Sequence, residues 1–309
     1  MEQLTVLSFG AGQDSTYILY KIIRDPAYRY KFIRGRLIVI VCDTGDEHAY
    51  TYKHIKFIEG LCKEHQIEFY FITSDMGYHP KTWPGLICQM KRNNTLMSMM
   101  FPRSCTDNLK IKPFYNFLNV YIARKYYGQN LPSSTRNKDW INRFAEEHGK
   151  INVILGIAAD EEHRIKEDKA QQLNLFDKAK RTQPVWMAKS ILKSYPMIIE
   201  GIDRQKAQIY ILATPWPLPM PSNCKRCPFL SKQEILWLYR FHPSDFYEWV
   251  ELEKAKINKC SHLERNLGVK GEKMLTEILE EAITEFGHWT DEQLHEYKMS
   301  HGHCVKSKY

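Results

Sequence analysis

Two short stretches of this chain combine residue types and spacings suited to chemistry. The first is Ser8-Phe9-Gly10-Ala11-Gly12-Gln13-Asp14-Ser15-Thr16. Small residues at 10–12 let the backbone approach a phosphate closely. Amides at the start of a following helix add donors and the positive end of its dipole. The stretch lacks the Lys-Ser/Thr pair of a P-loop, and it is not G-x-G-x-x-G. By spacing alone it is either an anion site or a tight strand-to-helix turn. The second stretch is Cys224-x-x-Cys227. Two thiolates so spaced can face one ion from a single turn, which suggests a metal or redox pair. Cys105 and Cys260 would complete a four-thiolate set suited to a [4Fe–4S] cluster or to zinc. His262 beside Cys260 leaves a mixed zinc site open, and Cys304 with His301 and His303 is a further candidate. The alternative is that these are buried or isolated thiols. Cys42, Cys62 and Cys88 read as core or loop cysteines.

Periodicity indicates the elements that must position these groups. Residues 4–9 and 37–41 read as strands, the second with the continuous apolar run of a sheet covered on both faces. Residues 67–73 and 151–156 are further strands, and 195–200 is predicted as a fifth. Helices are predicted from Asp14 onward, over 49–64, over 109–127 despite Pro113, and over 203–212. Between them, 74–104 reads as a long loop with one short helix, and 128–139 as a polar connection. The charged run at 160–182, with Lys166, Lys169, Lys178, Lys180 and Arg181, is a solvated loop by composition or an excursion over the site. Strands alternating with helices predict an α/β fold with a doubly wound parallel sheet. Four prolines at 215, 217, 219 and 221 mark a connector. Beyond it the chain reads as helices over 231–241, 244–257, 271–286 and 290–298. The expected division is a nucleotide-binding α/β domain over 1–214 and a helical C-terminal region with the cysteine pair over 215–309. The aromatic residues around 237–249 fall at helical spacing, which favours core packing over a platform for stacking bases.

Taken in order, these stretches resemble the PP-loop ATP pyrophosphatase superfamily, and within it the phosphoadenosine phosphosulfate (PAPS) reductase-like group. Gly12, Asp14 and Ser15 match its S-G-G-x-D-S loop, whereas Gly10, Ala11 and Gln13 stand where the family carries serine, glycine and lysine. Cys42-Asp43-Thr44-Gly45 resembles its D-T-G segment. Residues 103–113 resemble its R-x-C-T-x-x-x-K-I-x-P stretch, and 156–164 its G-I-x-x-D-E-x-x-R segment. Tyr195-Pro196-Met197-Ile198 resembles Y-P-L-I, and Cys224 to Phe229 resembles C-x-x-C-P-F. The resemblance spans residue 8 to about residue 250.

It implies a nucleotide site that uses ATP and Mg²⁺. A substrate oxygen would attack the α-phosphate, pyrophosphate would leave, and an adenylated intermediate would form. The implied nucleotide contacts are residues 8–16, Asp43, Thr44 and Gly156. Asp14 would orient Mg²⁺ or the loop, Asp160 and Glu161 would be metal-side carboxylates, and Lys110 and Arg164 would be phosphate cations. Gln13 carries no charge, so pyrophosphate must be neutralised by other cations. Without the resemblance, Asp160 and Glu161 read as favourable carboxylates at a helix start and Lys110 as a surface charge. The implied setting is sulfur transfer in nucleic-acid modification, such as DNA phosphorothioation or tRNA thiolation. A cysteine desulfurase or other sulfur donor would be a partner. The alternatives are a PAPS or adenylyl-sulfate reductase, for which Cys304 would be the reactive thiol, and a nucleotide-binding regulatory module without catalysis.

Composition bounds these readings. The 309 residues are 43% apolar and 26% charged, the usage of a globular chain rather than a disordered one. No apolar run approaches the roughly 18 residues of a spanning helix. The formal charge of +8 suits a protein that meets phosphates, although mildly basic enzymes are common. Eight cysteines without a leader pattern fit reduced thiols in the cytoplasm better than a disulfide framework.

Overall fold

The computed structural model describes residues 2–93, 95–100, 104–165 and 184–301. Most of the expected charged excursion, together with Arg103, His303 and Cys304, lies outside them. The chain begins with β1 (Leu4–Ser8), α1 (Gln13–Arg24), α2 (Pro26–Phe32), β2 (Arg36–Cys42), α3 (Ala49–Glu64) and β3 (Glu68–Ile72). It continues through α4 (Leu86–Asn93), α5 (Lys112–Tyr127), α6 (Asp139–His148), β4 (Ile151–Leu155), α7 (Val185–Ser190) and β5 (Ile191–Ser194). Then come α8 (Pro196–Ile199), α9 (Arg204–Leu212) and the C-terminal helices α10 (Lys232–Phe241), α11 (Pro243–Lys259), α12 (Leu275–Phe286) and α13 (Asp291–His301).

The five strands form one parallel sheet in the order β3-β2-β1-β4-β5. The period of two divides their side chains between two cores. Leu7, Val39 and Ile154 pack towards α1, α3 and α9. Val6, Ile38 and Val153 pack towards α5, α6 and α7. This is the doubly wound α/β fold expected from the alternation of elements. Two polar residues on buried strand positions are satisfied locally. Thr5 Oγ1 donates to Arg34 O at 2.8 Å, and Asn152 Nδ2 donates to Phe32 O at 2.9 Å.

The edge strand differs from expectation. Residues 195–200 are not a strand; β5 lies just before them, with Lys193 opposite Val153, and α8 follows. Pro196 explains the offset. It has no amide to give a ladder, and its fixed φ suits the first position of a helix. Helix α2, unforeseen in the sequence, starts by the same device. Asp25 accepts from the amides of Ala27 and Tyr28, both at 3.0 Å, and Pro26 follows it. Helix α6 was also unforeseen and buries Ile141 and Phe144.

The C-terminal helices build a cluster of their own around Trp237, Phe246, Trp249, Leu275 and Leu294, and Tyr50 and Leu96 pack against it. The buried Glu253 holds its loops by accepting from the amides of Val269 (2.8 Å) and Leu275 (2.7 Å). Ionic contacts join the cluster to the sheet. The buried Arg226 guanidinium pairs with Asp46, in the loop after β2, and with Asp245 and Glu248 of α11. Among the described residues, no helix is long and apolar enough to cross a membrane.

Candidate functional site

Strands β2 and β4 flank β1, and the chain leaves β1 between them. In open parallel sheets the crevice beyond the strand ends opens at such a reversal of order. The loop after β1 fills that place. Phe9 N continues the ladder to Ile40 O at 2.9 Å. Ala11 then takes a left-handed backbone, φ +57°. That conformation costs a residue with a Cβ roughly 1–2 kcal/mol. Ser15 closes the turn: its Oγ accepts from Gly10 N and donates to Gly12 O, each at 3.2 Å. Two neighbours crowd the loop. A Cβ on Gly156, just past β4, would lie 2.9 Å from Ser15 N, and one on Gly12 would lie 2.7 Å from Ser222 Oγ. Glycine at 156 therefore lets the end of β4 pass directly against the first turn of α1.

Residues 8–15, Asp43 and Gly156 line one pocket at this point, whereas Thr16 and Thr44 do not. Thr16 Oγ1 bonds His54 Nε2 at 2.9 Å, and Thr44 Oγ1 donates to Glu47 Oε1 at 3.0 Å. Asp43 Oδ1 accepts from Gly45 N and from the Tyr52 hydroxyl, both at 2.9 Å. Gln13 is fully buried. Its amide group is engaged by Pro219 O (3.0 Å) and by Gln208 Nε2 (2.8 Å) rather than by the turn itself.

A charged cluster forms one wall. Arg204, in the first turn of α9, lies 3.4 Å from Asp14 Oδ2 and 2.9 Å from Glu161 Oε1. Glu161 also pairs with Arg164. Asp14 and Glu161 are both nearly buried, at 12% and 6% side-chain exposure. Asp14 Oδ1 accepts no hydrogen bond. Burial pushes the Asp14 carboxyl above its usual range, against the pull of Arg204. Asp160 takes no part in this wall: it is exposed and does not line the pocket. The 3₁₀ turn Ala159–Arg164 points Glu161 and Arg164 inward instead.

Lys110 lines the pocket from a π-helical turn before α5, with Glu47 Oε1 at 3.9 Å. Lys193 of β5 lines it as well. On the α5 side the wall is apolar, formed by Ile40, Phe114, Tyr115, Val153, Leu155 and Met187. The arrangement can hold a polyanion at the start of α1 under four basic side chains, with a flat group against the apolar wall. Sequence reasoning missed Arg204, Lys193 and Glu47. The one available signal was Asp203, a helix-capping residue that puts Arg204 in a first turn.

Of the four candidate cysteine ligands, Cys105 and Cys224 are brought to one small cluster. Among the described residues, no three His, Cys, Asp or Glu side chains are grouped to hold a metal ion. Cys105 and Cys224 pack on the small cluster of Leu86, Met90 and Leu109, and Cys227 packs on the C-terminal core. Cys260 caps the end of α11. The backbone bridge between Cys224 and Glu47 ties Cys224 to the loop after β2. Cys224 Sγ donates to Thr44 Oγ1 at 3.4 Å, and burial next to Glu47 pushes its thiol well up.

No family model matches the chain, and no curated protein matches its sequence. Among solved structures it is similar to the U34-tRNA thiolase NcsA from Methanococcus maripaludis with its [4Fe-4S] cluster, at 13% identity. That match covers 94% of this chain and 75% of the other, with a TM-score of 0.37, a likeness too distant to bear on what this chain does.

Proposed function

We propose that the protein is an ATP pyrophosphatase that cleaves ATP between its α and β phosphates and so activates a substrate for sulfur transfer. The observation that carries this reading is the meeting, in one pocket, of an anion loop at the start of α1 with Lys110, Arg164, Lys193 and Arg204. In α–β cleavage the leaving pyrophosphate gains charge as the bond breaks, and catalysis needs fixed donors and cations there before the reaction begins. The loop amides and the helix start receive the pyrophosphate. The guanidinium groups of Arg164 and Arg204 stand beside it, already oriented by Glu161 and Asp14. The apolar wall under β2 and β4 takes the adenine ring.

Mg²⁺ fits this donor set. It binds through one or two carboxylates plus substrate phosphates, and Asp14 has an oxygen with no hydrogen bond. Asp14 would hold the ion, which would supply neutralisation of phosphate charge, while Glu161 stays paired with Arg164 and Arg204. Among the described residues no three His, Cys, Asp or Glu side chains are grouped to hold a metal ion, so no step is assigned to an iron–sulfur or zinc centre. A nucleic acid as the final substrate accords with the +8 charge, and a desulfurase or other persulfide carrier would bring the sulfur.

The test is direct. Protein purified without oxygen and given Mg²⁺ and ATP is expected to release AMP and pyrophosphate in equal amounts, and Asp14→Ala is expected to abolish the release. Failure of α–β cleavage, with and without nucleic acid, overturns the reading. Binding of ATP alone would then indicate a regulatory module, and thioredoxin-dependent reduction of PAPS a reductase.

A further inference from the structure

Gln13 stands in the anion loop, yet its side chain is spent elsewhere. Its Nε2 donates to Pro219 O at 3.0 Å and to Met299 O of α13 at 3.4 Å. Gln208 of α9 closes the ring by donating to Gln13 Oε1 at 2.8 Å and to Met299 O at 3.1 Å. Four segments therefore meet at one buried amide: the loop, α9, the proline connector that follows α9, and the last described helix. Ser222, just past the connector, backs the same loop at Gly12. Helix α13 is itself anchored, because its buried Lys298 bonds Asn223 Oδ1 (2.9 Å) and Glu234 Oε1 (3.0 Å).

We propose that Gln208 and the C-terminal helix α13 are positioning elements of the anion loop, setting its affinity for phosphates through the buried amide of Gln13. The argument is physical. A loop with a left-handed alanine does not hold that shape by local preference. Something outside it must over-determine the shape, and strained functional backbone persists only under such constraint. A buried amide that loses a partner is costly, and Gln13 is held by three of them: Pro219 O and Met299 O accept from its Nε2, and Gln208 donates to its Oε1. The first helical residue is thereby fixed, and with it the direction of the amides that follow. The expected consequence is that loosening α13 or α9 weakens anion binding without touching any group that contacts the anion.

The inference rests on the proposed nucleotide site for its binding arm only. The test uses the full chain and Gln208→Ala, which removes both of the Gln208 contacts and lies outside the pocket lining. Amide hydrogen exchange of residues 10–16, calorimetric binding of inorganic pyrophosphate with Mg²⁺, and the melting temperature are read together. Gln205→Ala, on the exposed face of α9, is the control. Gln208→Ala is expected to speed exchange at residues 10–16 and to weaken pyrophosphate about tenfold, about 1.4 kcal/mol, with a modestly lower melting temperature and with exchange in α10, α11 and α12 close to that of the control. Exchange at 10–16 equal to that of the control overturns the proposal, whatever happens to binding. Faster exchange across the whole chain, in step with a lower melting temperature, overturns it too, since the contact would then be merely structural. A wild-type protein that binds no pyrophosphate overturns the nucleotide reading alone, because the exchange arm decides the positioning role without a ligand.

Discussion

Adding one methyl group at Gly156 tests whether the end of β4 really bears on the anion loop. The new Cβ would lie 2.9 Å from Ser15 N and 3.2 Å from both Asp14 C and Ser15 Cα. Carbon contacts settle at roughly 3.5–4.0 Å, so backbone must retreat by roughly 0.5 Å, and no flexible side-chain tip is available to yield. Overpacking of this kind costs about 1–3 kcal/mol. At roughly 2–4 °C per kcal/mol for chains this large, Gly156→Ala should melt about 2–12 °C lower than wild type. The atoms displaced are those that would meet the phosphate. Since a 1 Å misplacement can cost roughly 100-fold, pyrophosphate binding should fall about tenfold or more. The same substitution at Gly60, inside α3 with nothing within 4 Å, should instead stabilise by about 0.5–1 kcal/mol. Differential scanning calorimetry of the two variants reads opposite signs from one chemical change, and pyrophosphate titration should change for Gly156→Ala only. A Gly156→Ala protein with wild-type melting and affinity would refute the close approach of β4 to α1, and with it the account of the loop.

Three further outcomes are expected. Arg204→Ala leaves Asp14 and Glu161 without their shared cation and should destabilise by about 3–5 kcal/mol, the usual cost of removing one partner of a buried pair, measured by urea unfolding; a loss below 1 kcal/mol would mean that Arg164 alone suffices. His54 is held down to about 4 by burial, so the unfolded chain takes up its proton first as pH falls. The stability tied to neutral His54 is fully present above pH 6.5 and is lost progressively down to pH 4. It amounts to about 3 kcal/mol at most, at about 1.4 kcal/mol per unit. His54→Asn should flatten the slope of urea stability against pH in that window, and an unchanged slope would refute the assignment. Lys298→Met strands the buried Glu234 and removes a cation 5.3 Å from the Trp237 ring centre; it should lower the unfolding midpoint and shift tryptophan emission, and an unaltered midpoint would show that α13 does not depend on this ion pair.

The sheet was legible where the apolar runs were unbroken. The run at 37–41 and the alternation of strand and helix announce a parallel sheet with covered faces. The glycine loop was legible because its small residues sit between a strand and a helix. Other features depend on the third dimension. Arg204 matters because α9 packs on α1, and no spacing connects residue 204 to residue 14. Asp160 and Glu161 are adjacent and chemically alike, and only the pitch of a 3₁₀ turn decides that Glu161 is buried against Arg164 and Arg204 while Asp160 is exposed. The cysteine pair has the spacing of a metal site, and no spacing announces the backbone bridge that ties Cys224 to Glu47 in the loop after β2. The edge strand was misplaced because Ile191 to Ser194 has little apolar content, while the run after Pro196 has more and is helical.

The Asp46–Arg226 contact also bears on how the protein is made. Asp46 is translated 180 residues before its partner. At about 5–20 residues per second, roughly 9–36 s separate the two. A carboxylate buried alone costs several kcal/mol, so the loop after β2 has reason to stay hydrated for that interval. Cys224 and Arg226, which close over this loop, arrive together at its end. The sheet can pair early, but closure over the loop after β2 is a late event in synthesis. Proteolysis of stalled nascent chains should therefore cut within residues 43–48 until residue 226 has left the ribosome, and early protection there would show that the loop closes on some other partner.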